Sequence, residues 1–388
     1  MTNPTEMMTF LGNTTAGEEQ ATSRVSILNL SRLFGTTILF FYAWLIISAS
    51  ILFISGRGIS VTNTLLAFGL TTVYFIWVSR NTFRFNWKLI LTGFAIITLL
   101  SCLSYAISSR FFDLSWDGRD YNQKAIRALS SGWDPVYNEQ QPTDIYYNTW
   151  LNHYPKGAWI ASASLYQLTG NIEGAKVFNL LLIAAVFFMA LAFCLRFPQL
   201  KTWQAVLISL MLAANPVSIY QSLSFYVDGQ VASILALLLL TFLLAFIQSD
   251  DISLVSIFAI LLIGLNLKFT ATAYIVLLTI GLLAAGFYLE KRALANIPGI
   301  QHLSANGLLG NSQTPSTKSR QFRRLLAVTI AGVFLGVLVA GFNPYVTNLI
   351  YYRNPFFPVW GDSVYNQEYI VGSQMPSNFE GKNRFQKL

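Results

Sequence analysis

The sequence predicts an all-α membrane protein: a polytopic bundle of about nine spans with a large helical polar loop after the third. Three observations predict it. Of 388 residues, 54% are hydrophobic and only 11% charged, against about 25% charged in soluble domains. The mean hydropathy is +0.51. Third, the apolar residues gather in runs near the ~20 residues that a helix needs to cross a bilayer, and polar loops separate those runs. Tyr and Trp near the run ends suit interfacial belts. The net charge of +8 reads as the loop lysines and arginines of a membrane protein. It does not read as a nucleic-acid surface, because no basic stripe accompanies a folded soluble module.

Residues 1–31 are polar, rich in Thr, Asn and Glu and without sustained periodicity, so residues 1–34 read as a mobile cytoplasmic tail. Spans follow at 35–55, 62–79 and 89–108, then at 174–195, 203–219, 230–248, 253–266, 271–288 and 325–343. The first run is long enough to span and does not resemble a cleavable signal peptide. Cys102 and Cys194 fall inside spans, which argues against a disulfide, and two cysteines are too few for a thiolate metal site. Arg80, Arg84 and Lys88 occupy one loop, Arg196 and Lys201 another. Residues 290–324 carry Lys291, Arg292, Lys318, Arg320, Arg323 and Arg324, with a flexible connection at 299–319. Positive-inside placement makes these loops and the N-terminus cytoplasmic, and puts loop 109–173 and segment 344–388 outside. That count needs 253–288 to be two short helices, broken at Asn266-Leu267-Lys268-Phe269-Thr270. The backbone at such a break must be buried in protein or face water.

Loop 109–173 is the longest polar interruption, and a loop of that length is uncommon without a task. Its centre reads Trp116-Asp117-Gly118-Arg119-Asp120-Tyr121-Asn122. Tyr121, Ala125 and Leu129 recur at i, i+4, i+8, predicting a helix over 120–129 on which Asp117, Tyr121 and Lys124 share a face. A second helix is expected over 156–168, with Ala161, Leu165 and Leu168 on one side and Gly170 ending it. Both are expected on the outer membrane surface, with Trp116, Trp133, Trp150 and Trp159 at the interface.

Asp117, beside Trp116, can act as general base for a hydroxyl acceptor; equally, it can cap the helix that follows. Asp120 is the rival base, or an ion partner for Arg119. A lysine among apolar helices costs about 2.5–3.5 kcal/mol at a helix centre. Lys268 is therefore expected to face a cavity and hold a phosphate as a point charge, or else to snorkel from a helix end. Lys156 and His153 start the second loop helix and could touch the same phosphate or sugar, although His153 also reads as an ordinary surface histidine. Tyr121 and Tyr154 complete the substrate-binding set. Asp228, in Tyr226-Val227-Asp228-Gly229, is a second carboxylate or an N-cap. Asp117, Asp120 and Asp228 also offer the oxygen ligands that a divalent cation takes. Asn343-Pro344 and Asn354-Pro355-Phe356-Phe357-Pro358 are turn formers.

In their order and common side, several pieces resemble the GT-C superfamily of integral-membrane glycosyltransferases, such as protein mannosyltransferases and aminoarabinose transferases. The pieces are Asp117-x-x-x-Tyr121-Asn122, Asn152-x-Tyr154-Pro155-Lys156-Gly157, Phe225-Tyr226-Val227-Asp228, Lys268-Phe269-Thr270 and Asn354-Pro355-Phe356-Phe357-Pro358. The resemblance runs from about the third span to near the end. It implies a polyprenyl-phosphate sugar donor and a glycan, lipid or protein acceptor. It also implies an active site on the outer face of a prokaryotic plasma membrane and inversion at the anomeric carbon. Asp117 then matches the loop carboxylate that acts as base, and Lys268 a phosphate-binding cation. Two spans precede the usual core, and relatives commonly continue with further spans or an outer domain, so the resemblance implies a C-terminally shortened member. The rival reading is a transporter or flippase for a lipid-linked glycan, which needs no base. Against it, a single helix break is visible and no second half mirrors it.

Overall fold

A computed structural model describes residues 4–83, 87–139, 145–248, 250–291 and 315–359. Among them there is no β-strand. The helices are α1 (Pro4–Ile54), α2 (Val61–Phe83), α3 (Trp87–Ser108), α4 (Gln123–Ser130), α5 (Ile145–His153), α6 (Gly157–Thr169) and α7 (Val177–Cys194). They continue as α8 (Thr202–Ala213), α9 (Pro216–Tyr220), α10 (Asp228–Gln248), α11 (Asp251–Leu265), α12 (Phe269–Lys291), α13 (Pro315–Leu335) and α14 (Thr347–Tyr352).

Seven helices are long and apolar enough to cross a membrane, and α8 and α11 are shorter apolar helices. The connections decide what the short ones do. α7 starts beside the large loop, where Lys176 bonds the Phe111 carbonyl, and ends at Leu195, whose carbonyl takes the Arg24 guanidinium at 3.0 Å. α10 starts again at the loop end, where Gln230 bonds Asn179 at 2.6 Å. The α8–α9 stretch therefore has to return across the bundle. By the same reasoning α11 crosses from Asp250, paired with Arg32, to Leu265, whose carbonyl takes the Tyr345 hydroxyl. Where nine spans were expected, the described residues hold seven helices long enough to span and two shorter apolar helices that cross within the bundle.

The short crossings have local causes. The expected span 203–219 is interrupted because Pro216 lacks an N–H and Asn215 caps a new helix, accepting from the Ser218 N–H at 3.0 Å. α11 has 15 residues, about 22 Å at 1.5 Å each, too short for a ~30 Å hydrocarbon layer. It sits inside the bundle, with eleven of its residues from Ser253 to Leu265 buried. α1, α7, α10 and α11 form the centre, and α3, only 22% buried across its span against 67% for α7, lies outside.

Two expectations need correction here. The segment expected to be a tail joins the first span: α1 runs unbroken from Pro4, and the apolar crossing begins at Ser23. Near the start of that crossing Arg24 anchors the helix, donating to the carbonyls of Leu195, Phe197 and Leu200 in the α7–α8 turn. The loop helices do not lie on the membrane surface either. Gly157–Ser164 of α6 is buried, packed against α1, α2 and α4, and Trp133 and Trp159 are buried with it. Of the other two loop tryptophans, Trp116 is open at 72% exposure and Trp150 is half-buried. Loop 109–173 is thus a second small core capping one end, built on Ala125, Ile126, Leu129, Trp159 and Phe225. Gly170 closes α6 in the left-handed region at φ +69°, as expected. Most of the connection 299–319, all of 299–314, lies outside the described residues, as does 360–388.

Candidate functional site

The site is built by a buried carboxylate that the sequence did not single out. Asp113 Oδ2 accepts from the Phe225 backbone N–H at 2.6 Å and Oδ1 from the Ser115 N–H at 2.9 Å. Its own N–H donates to Glu173 Oε2 at 3.1 Å, and Glu173 is paired with the fully buried Lys176. This set ties loop 109–173 to the segment leading into α10. Gly118 makes the approach possible, because a Cβ there would collide with the Asp113 carboxylate and Ser115 Oγ. A single π turn, Gly118–Asn122, follows.

Asp117 immediately precedes that turn, with helical φ −59° and ψ −34°, and its side chain makes no capping bond. The capping alternative therefore fails, since an N-cap needs extended backbone. Its Oδ2 faces the Tyr121 hydroxyl at a long 3.4 Å, while its carbonyl accepts from Asn122 Nδ2 at 3.0 Å. Asn122 in turn accepts from Trp159 Nε1 at 2.6 Å, which fixes the turn on α6.

Lys268 is not alone at its helix break. Its Nζ lies 2.7 Å from Asp228 Oδ1, with side chains 28% and 42% exposed. The break itself is buried in protein, as the expected crossing requires. Asn266 is 1% exposed; its carbonyl takes the Gly157 N–H at 2.6 Å, and its Nδ2 bonds the Leu262 and Gly336 carbonyls. Phe269 then packs on Tyr154 at 5.2 Å between ring centroids and on Tyr345 at 5.8 Å.

Asp117 and Asp228 meet electrostatically on two tyrosines. Burial, and after it the Asp117 carboxylate, push the Tyr121 phenol up, with Asp228 acting in the same direction. Burial again leads for Tyr154, followed by neighbouring phenols and by Asp228 and Asp117. Asp117, Tyr121, Tyr154, Asp228 and Lys268 thus share one end of the bundle. Two cavities adjoin this region, and neither is lined by Asp117 or Lys268.

Other expected site residues serve elsewhere. Lys156 is 1% exposed, and its Nζ donates to the carbonyls of Asn152 and Tyr154 and to Asn343 Oδ1. Those acceptors use all the donors of an ammonium, so nothing remains for a phosphate. Burial pushes its pKa well below the usual lysine range. Asn343 also donates to the Pro135 carbonyl at 2.7 Å, so this pair clamps the end of α13 onto the loop. His153 is buried rather than on the surface: Nδ1 lies 2.9 Å from Asn348 Oδ1, and the ring packs against Tyr352 and Phe357. Burial lowers its pKa to about 4. Asp120 is half-buried in the turn, and Lys124, expected on the face of Asp117, is exposed. No group of three or more His, Cys, Asp or Glu side chains suited to a metal exists among the described residues. The expected trio Asp117, Asp120 and Asp228 does not assemble, since Asp228 turns to Lys268.

The sequence reading also missed a buried chain, Tyr42 hydroxyl to Gln230 at 2.6 Å and Gln230 to Asn179 at 2.6 Å. Asn179 and Gln230 were legible as polar groups inside apolar runs; Asp113 carried no local signal.

Fold and cap define a multi-pass helical membrane protein with a cluster of carboxylates, phenols and one lysine at one end. Comparison with known protein families, curated proteins and solved structures gives no match.

Proposed function

We propose that this protein is an integral-membrane glycosyltransferase that moves a sugar from a polyprenyl-phosphate donor to an acceptor hydroxyl, with inversion. The observation that supports the reading most is that the Asp117 and Asp228 carboxylates, the second of them paired with Lys268, act on the same two phenols, Tyr121 and Tyr154. In this mechanism Asp117 takes the acceptor proton as the acceptor oxygen bonds the anomeric carbon. The bond from that carbon to the phosphate oxygen breaks on the opposite face, and polyprenyl phosphate leaves with the bonding electrons. Lys268 stabilises the charge that develops there. A partly exposed ion pair is worth only about 0–1 kcal/mol, so the donor phosphate can displace Asp228 from Lys268 at little cost. The basic end, with Arg80, Arg196, Lys201, Arg320, Arg323 and Arg324, faces the cytoplasm in this reading. The cap then faces outward from a prokaryotic plasma membrane, and the prenyl tail lies among the outer helices.

The test is turnover of purified protein with labelled polyprenyl-phosphate sugars and hydroxyl acceptors. Asp117→Asn is expected to lower kcat by about 10²–10⁴ while the protein elutes as before. Lys268→Ala is expected to raise the donor KM more than the acceptor KM. Full turnover by D117N removes Asp117 from the mechanism. Movement of an intact lipid-linked glycan across vesicles, without bond exchange, replaces the transferase reading with that of a flippase.

A further inference from the structure

On the far side of the Asp117 turn lies an open cavity of about 700 Å³, within the ~300–1,000 Å³ usual for ligand sites. One wall is a single helical face carrying Arg119, Gln123 and Arg127; Tyr166 and Asn171 also line it. Arg119 and Arg127 are exposed, and neither forms an ion pair among the described residues. Their Cα atoms lie on the order of 12 Å apart along the helix, a span that two arginine side chains close around one phosphate.

The acids in the floor are already engaged. Glu173 is paired with Lys176, and Asp113 points its Oδ2 at the Phe225 N–H. The lip is apolar and open: Phe112 is 80% exposed and Leu114 82%. Both follow directly on α3, a helix that spans the membrane. Guanidinium groups suit bidentate phosphate recognition, and exposed aromatic and aliphatic side chains at a span end suit lipid chains.

We propose that this groove binds the phosphate-bearing headgroup of a membrane lipid, its chains running over Phe112 and Leu114. It is separate from the Asp117–Asp228–Lys268 cluster and stands without the transferase reading. The two share the turn at 117–122, with Asp117 and Tyr121 on one side and Arg119 on the other, and the buried Asp113 and Glu173 that hold it.

The full chain in neutral detergent is titrated with short-chain phosphatidic acid while its Tm is followed. Phosphatidylcholine and inorganic phosphate form separate arms. Phosphatidic acid is expected to raise Tm saturably, with an apparent affinity at least tenfold weaker in the R119Q/R127Q double variant and intermediate in each single variant. Binding is expected to weaken with salt and to persist in D117N, which separates this site from the transfer chemistry. Both arginines are exposed, so the double variant keeps its Tm without lipid. An unchanged affinity in R119Q/R127Q overturns the proposal. So does phosphatidylcholine binding as tightly as phosphatidic acid, which means an apolar site, or inorganic phosphate doing so, which means a site for the free anion.

Discussion

At the scale of single residues, burial decides which polar groups are free to react. Lys156 and Lys268 look alike in the sequence, each beside a small or aromatic residue at a helix start. The first has spent its hydrogen-bonding capacity inside the protein. The second holds a carboxylate, and both side chains of the pair are partly exposed. His153 gives a pH prediction. Its pKa falls from 6.5 to about 4 because burial disfavours the charged ring. The unfolded chain therefore binds the proton more tightly between those values. Stability is complete above pH 6.5 and declines as pH falls towards 4, by on the order of 3 kcal/mol at most. Thermal unfolding in detergent across that window is expected to show the decline, and His153→Gln to flatten it. An identical pH dependence in that variant places the titrating group elsewhere.

At the scale of elements, close approach of backbone to side chain sets the geometry. The π turn at Gly118–Asn122 holds its place because Gly118 leaves room for Asp113, and Asp113 in turn holds the segment before α10. Gly118→Ala is expected to push the carboxylate away, cost about 1–3 kcal/mol from overpacking, and impair transfer well beyond that loss. Comparing turnover with Tm in one preparation checks this: a fall in Tm with unchanged kcat means the turn does not position Asp117. Gly157 has the same role at the α11–α12 break, where a Cβ would stand 2.7 Å from the Asn266 carbonyl. That packing is what turns α6 inward, against the expectation of a surface helix. The spacing of Ala161, Leu165 and Leu168 reports an apolar side, and cannot say whether lipid or protein meets it.

At the scale of the whole molecule, the chain sorts its polar groups to two ends. Arg24, Arg32, Arg196 and Arg324 gather with Asp250 and Asp251 at one, and the cap with its tyrosines and Lys268 occupies the other. Single cysteines in a cysteine-free background test this arrangement. Ser131→Cys, exposed in the cap, is expected to react with an impermeant maleimide added outside cells, and Gln199→Cys, exposed in the α7–α8 turn, only after permeabilisation. Equal labelling of both from one side contradicts the crossing count.

Hydropathy runs and the polar break at 266–270 determined from sequence alone that the protein is a helical multi-pass bundle, while the packing of the large loop into a cap did not follow from them. The runs did so because crossing a hydrocarbon layer imposes length and apolarity on each segment separately. The pairing of Tyr121 with Asp117 was legible for a similar reason, since residues four apart in a helix meet. Only the tertiary structure decided that Asp228 holds Lys268, that Lys156 is enclosed, and that Asp113 ties the loop to α10. Those contacts join positions 40, 187 and 112 residues apart. Their strength comes from carbonyls, carboxylates and N–H groups brought together by packing, and no local pattern records which distant partner a buried polar group will find.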